Sequence, residues 1–418
     1  MYEIEDGIVI MEVIKGGVTA PQGFRAAGIH CGIRRNADKY DLALILADCE
    51  CAAAAVYTTN LVQSAPLKIT KRHLKDGRAR AILANSGNAN ACAPEGEENV
   101  LISCIKLSQV LDLNPWDIIV NSTGVIGQRL PVERIEEAIP ALVKALNADE
   151  QGSDAAARAI MTTDLAKKEI AVKLEIGGKT VKIGAICKGS GMIRPNMATM
   201  LAFITTDCAI SSDLLHNALC DATRVSFNRV SVDGDTSTND MAAILASGLA
   251  GNILICEKNE DYQVFSDALK ALCVDLARQM ARDGEGASRL VTCRVRNAES
   301  EAAAERLSMS VTDSNLVKAM MFGADANCGR VLCAMGYSGA AFDPEKVDVA
   351  FESAAGRVEM CLDGRVLEFD EKVAKTVLSE SEVLIDIDIK DELGKFTVET
   401  YGCDLSYEYV RINGDYRS

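Results

Sequence analysis

Residues 188–207 read "KGSGMIRPNMATMLAFITTD". A Gly- and Pro-marked turn gives way to an apolar run that predicts a buried strand, with Ala198 and Thr199 at its mouth. A threonine heading a strand can simply satisfy a local hydrogen bond. It can also be a concealed nucleophile. A free hydroxyl is weak because nothing nearby removes its proton, whereas the α-amine of an N-terminal threonine, with a pKa of about 7.7–8.0, is a base matched to neutral pH. An internal threonine reaches that state if its hydroxyl attacks the preceding carbonyl and the resulting ester hydrolyses. The small Ala198 leaves room for the tetrahedral intermediate.

Such chemistry needs donors for the developing oxyanion. Upstream, "DIIVNSTGVIG" (residues 117–127) predicts a strand ending in Ser-Thr-Gly. It offers the Thr123 hydroxyl and the Gly124 backbone N–H. "TVKIGAIC" predicts a second strand, delivering Lys188 to the start of the quoted stretch. Helical spacing marks "VLISCIKLSQVLDL", "PVERIEEAIPALVKAL", "DLLHNALCDATRV" and "FSDALKALCVDLARQMARDG". Strands and helices mix throughout, which places the chain in the α/β class. Its 418 residues suggest more than one domain. A boundary near residue 290 separates a catalytic α/β part, 1–290, from a smaller α/β part, 291–418.

The chain carries 44 basic and 60 acidic side chains, a formal charge of −16. That balance argues against nucleic acid and anionic membranes as partners. No run approaches the roughly 18–20 apolar residues of a membrane span, and "MYEIEDGIVI" lacks the basic start of a secretory signal. A cytoplasmic location is the expectation. Fifteen cysteines, an odd number with no C-x-x-C, predict reduced buried thiols rather than a disulfide framework or metal site. His30, His73 and His216 are the only histidines, too few and too ill-placed for a supplied triad, and read as structural. "SVDGDTSTND" (residues 231–240) lacks the Gly and Glu of a calcium loop and predicts a hydrogen-bonded turn near a site. Glycine spacings of nucleotide-binding loops are absent.

The stretch around Thr199, "NSTGVIG" upstream and "SFNRVSVDGDTSTND" downstream closely resemble the ornithine acetyltransferase (glutamate N-acetyltransferase) family of arginine biosynthesis. So do "GVTAPQGFRAAGIHCGIRRNADKYDLALI", "VYTTNLVQSAPL", "ILANSGNANAC", "DGEGA", "GYSG" and the final "RINGDYRS", nearly end to end. The resemblance implies a layered αββα sandwich, like the N-terminal-nucleophile hydrolases but differently connected, plus a smaller C-terminal domain. It implies self-cleavage between Ala198 and Thr199 into α and β chains, 1–198 and 199–418, assembled as α2β2. Thr199 is then the nucleophile and Thr123 with Gly124 the oxyanion hole. Substrate contacts are implied for Thr162 (Thr163 if the register is off by one), Lys188, Thr199, Glu285, Asn413 and Ser418.

The implied reaction is ping-pong transfer of acetyl from N-acetylornithine to glutamate without a metal or bound cofactor. Acetyl-CoA is an optional second donor, since some members accept it. Lys188 suits a substrate carboxylate and Glu285 an ammonium. Two residues depart from the family pattern. Ser418 stands where Thr is usual, and Cys328 stands where Trp is common. Two other functions compete: an N-terminal-nucleophile amidohydrolase or aminopeptidase using the same Thr199, and a non-enzymatic binding protein on the same scaffold.

Overall fold

The computed structural model describes residues 2–4, 7–194 and 200–414. They divide into two units. One takes Met1–Gly189, Pro195–Asn228 and Asp235–Leu276; the other takes Ser190–Arg194, Arg229–Gly234 and Ala277–Ser418. The strands in chain order begin with β1 (Tyr2–Ile4), β2 (Gly7–Val9), β3 (Glu12–Ile14), β4 (Phe24–Ile29), β5 (Leu42–Tyr57), β6 (Arg78–Asn85) and β7 (Ile118–Ser122). They continue with β8 (Lys168–Ile176), β9 (Lys179–Lys188), β10 (Leu201–Thr206), β11 (Val230–Ser231) and β12 (Met241–Ala246). The helices over this part are α1 (Ala65–His73), α2 (Gly96–Leu111), α3 (Val132–Lys144), α4 (Glu150–Ile160), α5 (Ser212–Val225) and α6 (Glu260–Arg282). The division at Leu276 falls inside α6, whereas the sequence suggested a boundary near 290. One continuous amphipathic helix gives no composition shift there to read.

The first unit is built on β5. Its first half pairs with β4 and β6, and its second half with β12, with a register shift between Leu46 and Cys51. The sheet order β3-β8-β9-β10-β12-β5-β6-β7 thus changes neighbours along one long strand. Ala43 and Ile45 of β5, Ile82 of β6 and Ile119 of β7 share one buried cluster with Ile186 of β9, Phe203 of β10 and Ala243 of β12. Two sheet layers therefore pack face to face, with Ala156, Ala157 and Ile160 of α4 in the same cluster. Strand residues alternate faces. Leu44, Leu83 and Val120 point outward to Ile69 of α1, Leu107 of α2 and Ile139 of α3. Helix α5 lies against β5 and β12 on the other side. The order helix, sheet, sheet, helix is the expected layered sandwich. Its central layer is rich in alanine, so the sheets meet with few aromatic side chains between them.

The second unit continues with β13 (Leu290–Ala298), β14 (Asp348–Ser353), β15 (Gly356–Leu362), β16 (Arg365–Val366), β17 (Glu382–Asp388) and β18 (Phe396–Cys403). Its helices are α7 (Glu301–Asp313), α8 (Asn315–Gly323), α9 (Cys328–Gly336), α10 (Glu371–Leu378) and α11 (Tyr407–Gly414). The sheet order is β11-β18-β13-β17-β14-β15-β16. Val295, Ile385 and Phe351 pack with Leu307 of α7, Met320 of α8, Val331 of α9 and Val377 of α10. Intervening residues carry ion pairs instead, Arg294 with Glu399 and Arg296 with Asp386. One face is a core and the other is charged, as an antiparallel-rich sheet allows.

Candidate active site

Strands β6 and β7 are parallel, so Asn85 and Ser122 end side by side. The chain leaving each strand is tied to the other. The Thr123 N–H donates to the Asn85 carbonyl (2.9 Å), and the Ala89 N–H donates to that of Val125 (3.0 Å). Between these bonds Gly124 has φ 132°, and a Cβ there would lie 2.3 Å from the Gly87 carbonyl carbon. Only glycine fits.

A network of buried amides holds this corner. Asn239 Nδ2 donates to the carbonyls of Ala89 (2.6 Å) and Ser122 (2.7 Å), and Asn121 Nδ2 donates back to the Asn239 carbonyl (3.0 Å). Ser122 Oγ reaches Asn85 Oδ1 at 2.6 Å. The "STND" turn is thus bonded to both glycine-rich loops, which fits the hydrogen-bonded turn expected there.

Lys188 is the last residue of β9 and is 5% exposed. Its Nζ lies 3.5 Å from Thr123 Oγ1. In register it faces Leu201, the first residue of β10, and Leu201 in turn pairs with Met241 of β12. The entrance of β10 is therefore flanked by Lys188 on one side and Asp240 on the other. Asp240 is buried, and one carboxylate oxygen, Oδ2, has no hydrogen-bond partner among the described residues. Burial holds its carboxyl well above the usual range, against the opposing pull of Lys188.

Thr162 joins this assembly through Asp164. That carboxylate accepts from the Thr162 N–H (2.9 Å), the Gly189 N–H (2.9 Å) and Lys168 Nζ (2.7 Å). It fastens the loop after α4 to the residue following Lys188. Burial alone would raise its pKa, but the charges of Lys168 and Lys188 outweigh that and hold it well below the usual range.

The second unit brings Glu285 and Asn413 together. Glu285 is buried; its N–H donates to the Ser190 carbonyl (2.8 Å), and its Oε2 accepts from Asn413 Nδ2 (2.6 Å). A Cβ at Gly191 would lie 2.3 Å from the Glu285 carboxyl, so the "GSG" glycine makes space for that acid. Ala198, Thr199 and Ser418 lie outside the described residues.

The three histidines stand apart. His73 Nδ1 bonds the Ile118 carbonyl (2.8 Å), His30 Nδ1 meets the Lys39 carbonyl (3.0 Å), and His216 Nε2 lies 3.5 Å from Cys220 Sγ on α5. His73 is buried on the inner face of α1, which fits the structural reading. Among the described residues, no group of three or more His, Cys, Asp or Glu has the geometry to hold a metal.

The ArgJ family model matches residues 25–418. This chain belongs to the ArgJ family. It is 50% identical over 410 residues to the arginine biosynthesis bifunctional protein ArgJ of Symbiobacterium thermophilum, covering 98% of this chain and all of that one. A chloroplastic ArgJ of rice is 42% identical over 409 residues, covering 96% of this chain and 88% of that one. The crystal structure of the Bacillus halodurans ArgJ is 41% identical, covers 51% of this chain and 98% of that one, and aligns with a TM-score of 0.48.

Two features of this ArgJ chain escaped the sequence reading. Asp164 was one letter of "MTTD", and Asn239 one of several turn-forming residues in "STND". Nothing local marks either as a junction. Their roles come from partners 25 and 117 to 150 residues away.

Proposed function

We propose that this chain is a self-processing acetyltransferase of arginine biosynthesis, moving acetyl from N-acetylornithine to glutamate. One observation carries the reading. Two strand ends converge, with Lys188 Nζ 3.5 Å from Thr123 Oγ1, and Lys188 stands in register with Leu201, two residues beyond Thr199. The curated relatives are named for arginine biosynthesis and for two functions.

In this scheme the Thr199 hydroxyl attacks the Ala198 carbonyl, and hydrolysis of the ester frees the Thr199 amine. That amine then accepts the hydroxyl proton as Thr199 attacks the acetyl carbonyl of N-acetylornithine. Ornithine departs, and the glutamate amine attacks the acetyl ester. Each step builds an oxyanion that the Thr123 hydroxyl and Gly124 N–H receive; one such donor is worth about 10²–10³ in kcat. Lys188 takes a substrate carboxylate. Glu285, braced by Asn413, takes an ammonium, and Thr162 and Ser418 complete the contacts. Acetyl-CoA serves as a second donor, with no metal or resident cofactor. The α and β chains remain together as α2β2 in the cytoplasm.

Intact mass, N-terminal sequencing and an exchange assay on the purified protein test this. The expected result is two chains beginning at Met1 and Thr199, acetyl exchange in the wild type, and a single inert chain for Thr199→Ala. Acetate released regardless of added glutamate would assign the site to a hydrolase instead.

A further inference from the structure

Asp240 stands just before β12 and is 2% exposed. Parallel pairing sets Leu201 beside Met241, and the Met241 N–H donates to the Met200 carbonyl at 3.0 Å. Met200 and Asp240 therefore lie side by side at the entrance of β10 and β12, and the Met200 N–H hydrogen-bonds the Asp240 carboxyl. The Thr58 and Ser237 side chains bond it as well, and Lys188 from β9 is the charged side chain that acts on it. Oδ2 nevertheless takes no hydrogen bond among the described residues. A buried carboxylate oxygen in that condition is costly, and a donor or cation brought to it relieves the cost. The chain itself supplies a candidate. Met200 N is bonded to the Thr199 carbonyl carbon, so by bond lengths alone the Thr199 nitrogen lies within about 4 Å of it. In the uncut chain that nitrogen is a neutral amide; cleavage after Ala198 turns it into an amine that can carry charge.

We propose that Asp240 is a positioning residue of the transfer reaction, holding the freed Thr199 amine and balancing the charge that amine acquires. This rests on the acetyl-transfer reading above. As the Thr199 oxygen forms its C–O bond to the acetyl carbon, the hydroxyl proton passes to the amine, which becomes an ammonium. The departing ornithine nitrogen takes that proton as the amide C–N bond breaks. Lys188, on the other side of the β10 entrance, opposes a positive charge there, and the Asp240 carboxylate offsets it. Burial favours the neutral form of Asp240 in the uncut chain, and an ammonium beside it reverses that preference. A base oriented by a buried carboxylate that stabilises its charged form, without itself taking the proton, is the logic of a serine-hydrolase triad. Before cleavage there is no amine to hold, so self-processing does not call on this role of Asp240.

The experiment compares full-length wild type with Asp240→Asn, which keeps the size of the side chain and removes its charge. Intact mass and N-terminal sequencing should show both proteins cut before Thr199, which also shows that the variant folds. Exchange from N-acetylornithine to glutamate should have a kcat about 10–10²-fold lower in the variant, with KM within about twofold. The acidic limb of its kcat/KM profile should move to a lower pH by about 1, because the amine loses the carboxylate that favours its charged form. Reductive methylation of the Thr199 amine, followed by mass across the same pH range, should show the same lowered midpoint without relying on activity. An unchanged kcat or an unmoved midpoint overturns the inference. So does a variant recovered as a single uncut chain, which would put Asp240 to work in folding or cleavage instead. A wild type that stays uncut or exchanges no acetyl defeats the acetyl-transfer reading, whereas a cut, active wild type matched by Asp240→Asn defeats only the role of Asp240.

Discussion

Asp164 and Thr123 show how much one side chain can organise. Asp164 is fully enclosed, with Lys168 2% exposed beside it. Replacing Asp164 by Asn leaves the Lys168 ammonium buried without its counter-charge, a loss of about 3–5 kcal/mol. Urea unfolding should show it as a lower midpoint, and Asp164→Asn/Lys168→Met should recover part of it. Because the folded carboxyl is held below its unfolded pKa, its contribution is complete above the ordinary carboxylate range. It disappears as pH falls toward the folded value. Thr123→Val keeps the shape and removes the donor. It should lower kcat for acetyl exchange about 10²–10³-fold with KM little changed, and an unaltered kcat would place the oxyanion elsewhere. Thr123 and Gly124 were legible because a strand running into Ser-Thr-Gly sets a hydroxyl and a glycine N–H side by side in the chain itself. Asp164 was not, since its three partners are brought together only by the fold.

At the scale of the element, β5 is the instructive case. "CECAAAAVY" holds four consecutive alanines, the strongest helix formers. It is nevertheless strand, paired to β12 from Ala52 to Tyr57, because backbone partners on the neighbouring strand outweigh a local preference. Small side chains are what the layered core requires. Ala243 of β12 is fully buried between the layers. Ala243→Leu should force them apart, costing about 1–3 kcal/mol and lowering the calorimetric melting temperature. An unchanged melting temperature would mean the interlayer space is not tightly filled. The helices of the first unit were easier to foresee. α2, α3 and α5 each present an apolar stripe to one sheet face, and periodicity records that directly.

For the whole molecule, buried charge sets the pH response. Asp240, raised by burial, contributes fully below its unfolded pKa of about 3.9, and that contribution is lost as pH rises through the higher folded value. Asp240→Asn does not titrate. Its melting temperature should therefore exceed that of the wild type at alkaline pH, with the gap closing toward pH 4. Melting curves for both proteins from pH 4 to 9 check this, and parallel profiles would exclude it. All fifteen cysteines are unbonded, and burial pushes the Cys187 and Cys208 thiols up to about 12, which keeps them un-ionised. No described helix is long and apolar enough to cross a membrane.

By itself the sequence determined the α/β class and the family, because strand ends, helical stripes and long family motifs are local patterns. Only the tertiary structure decided that β5 bends one sheet into two layers. It alone decided that Asp164 and Asn239 lock distant loops together, and that an open cleft lies beside Thr162. Those features depend on which segments become neighbours, and hydrogen bonds across more than a hundred residues leave no periodic trace in the chain.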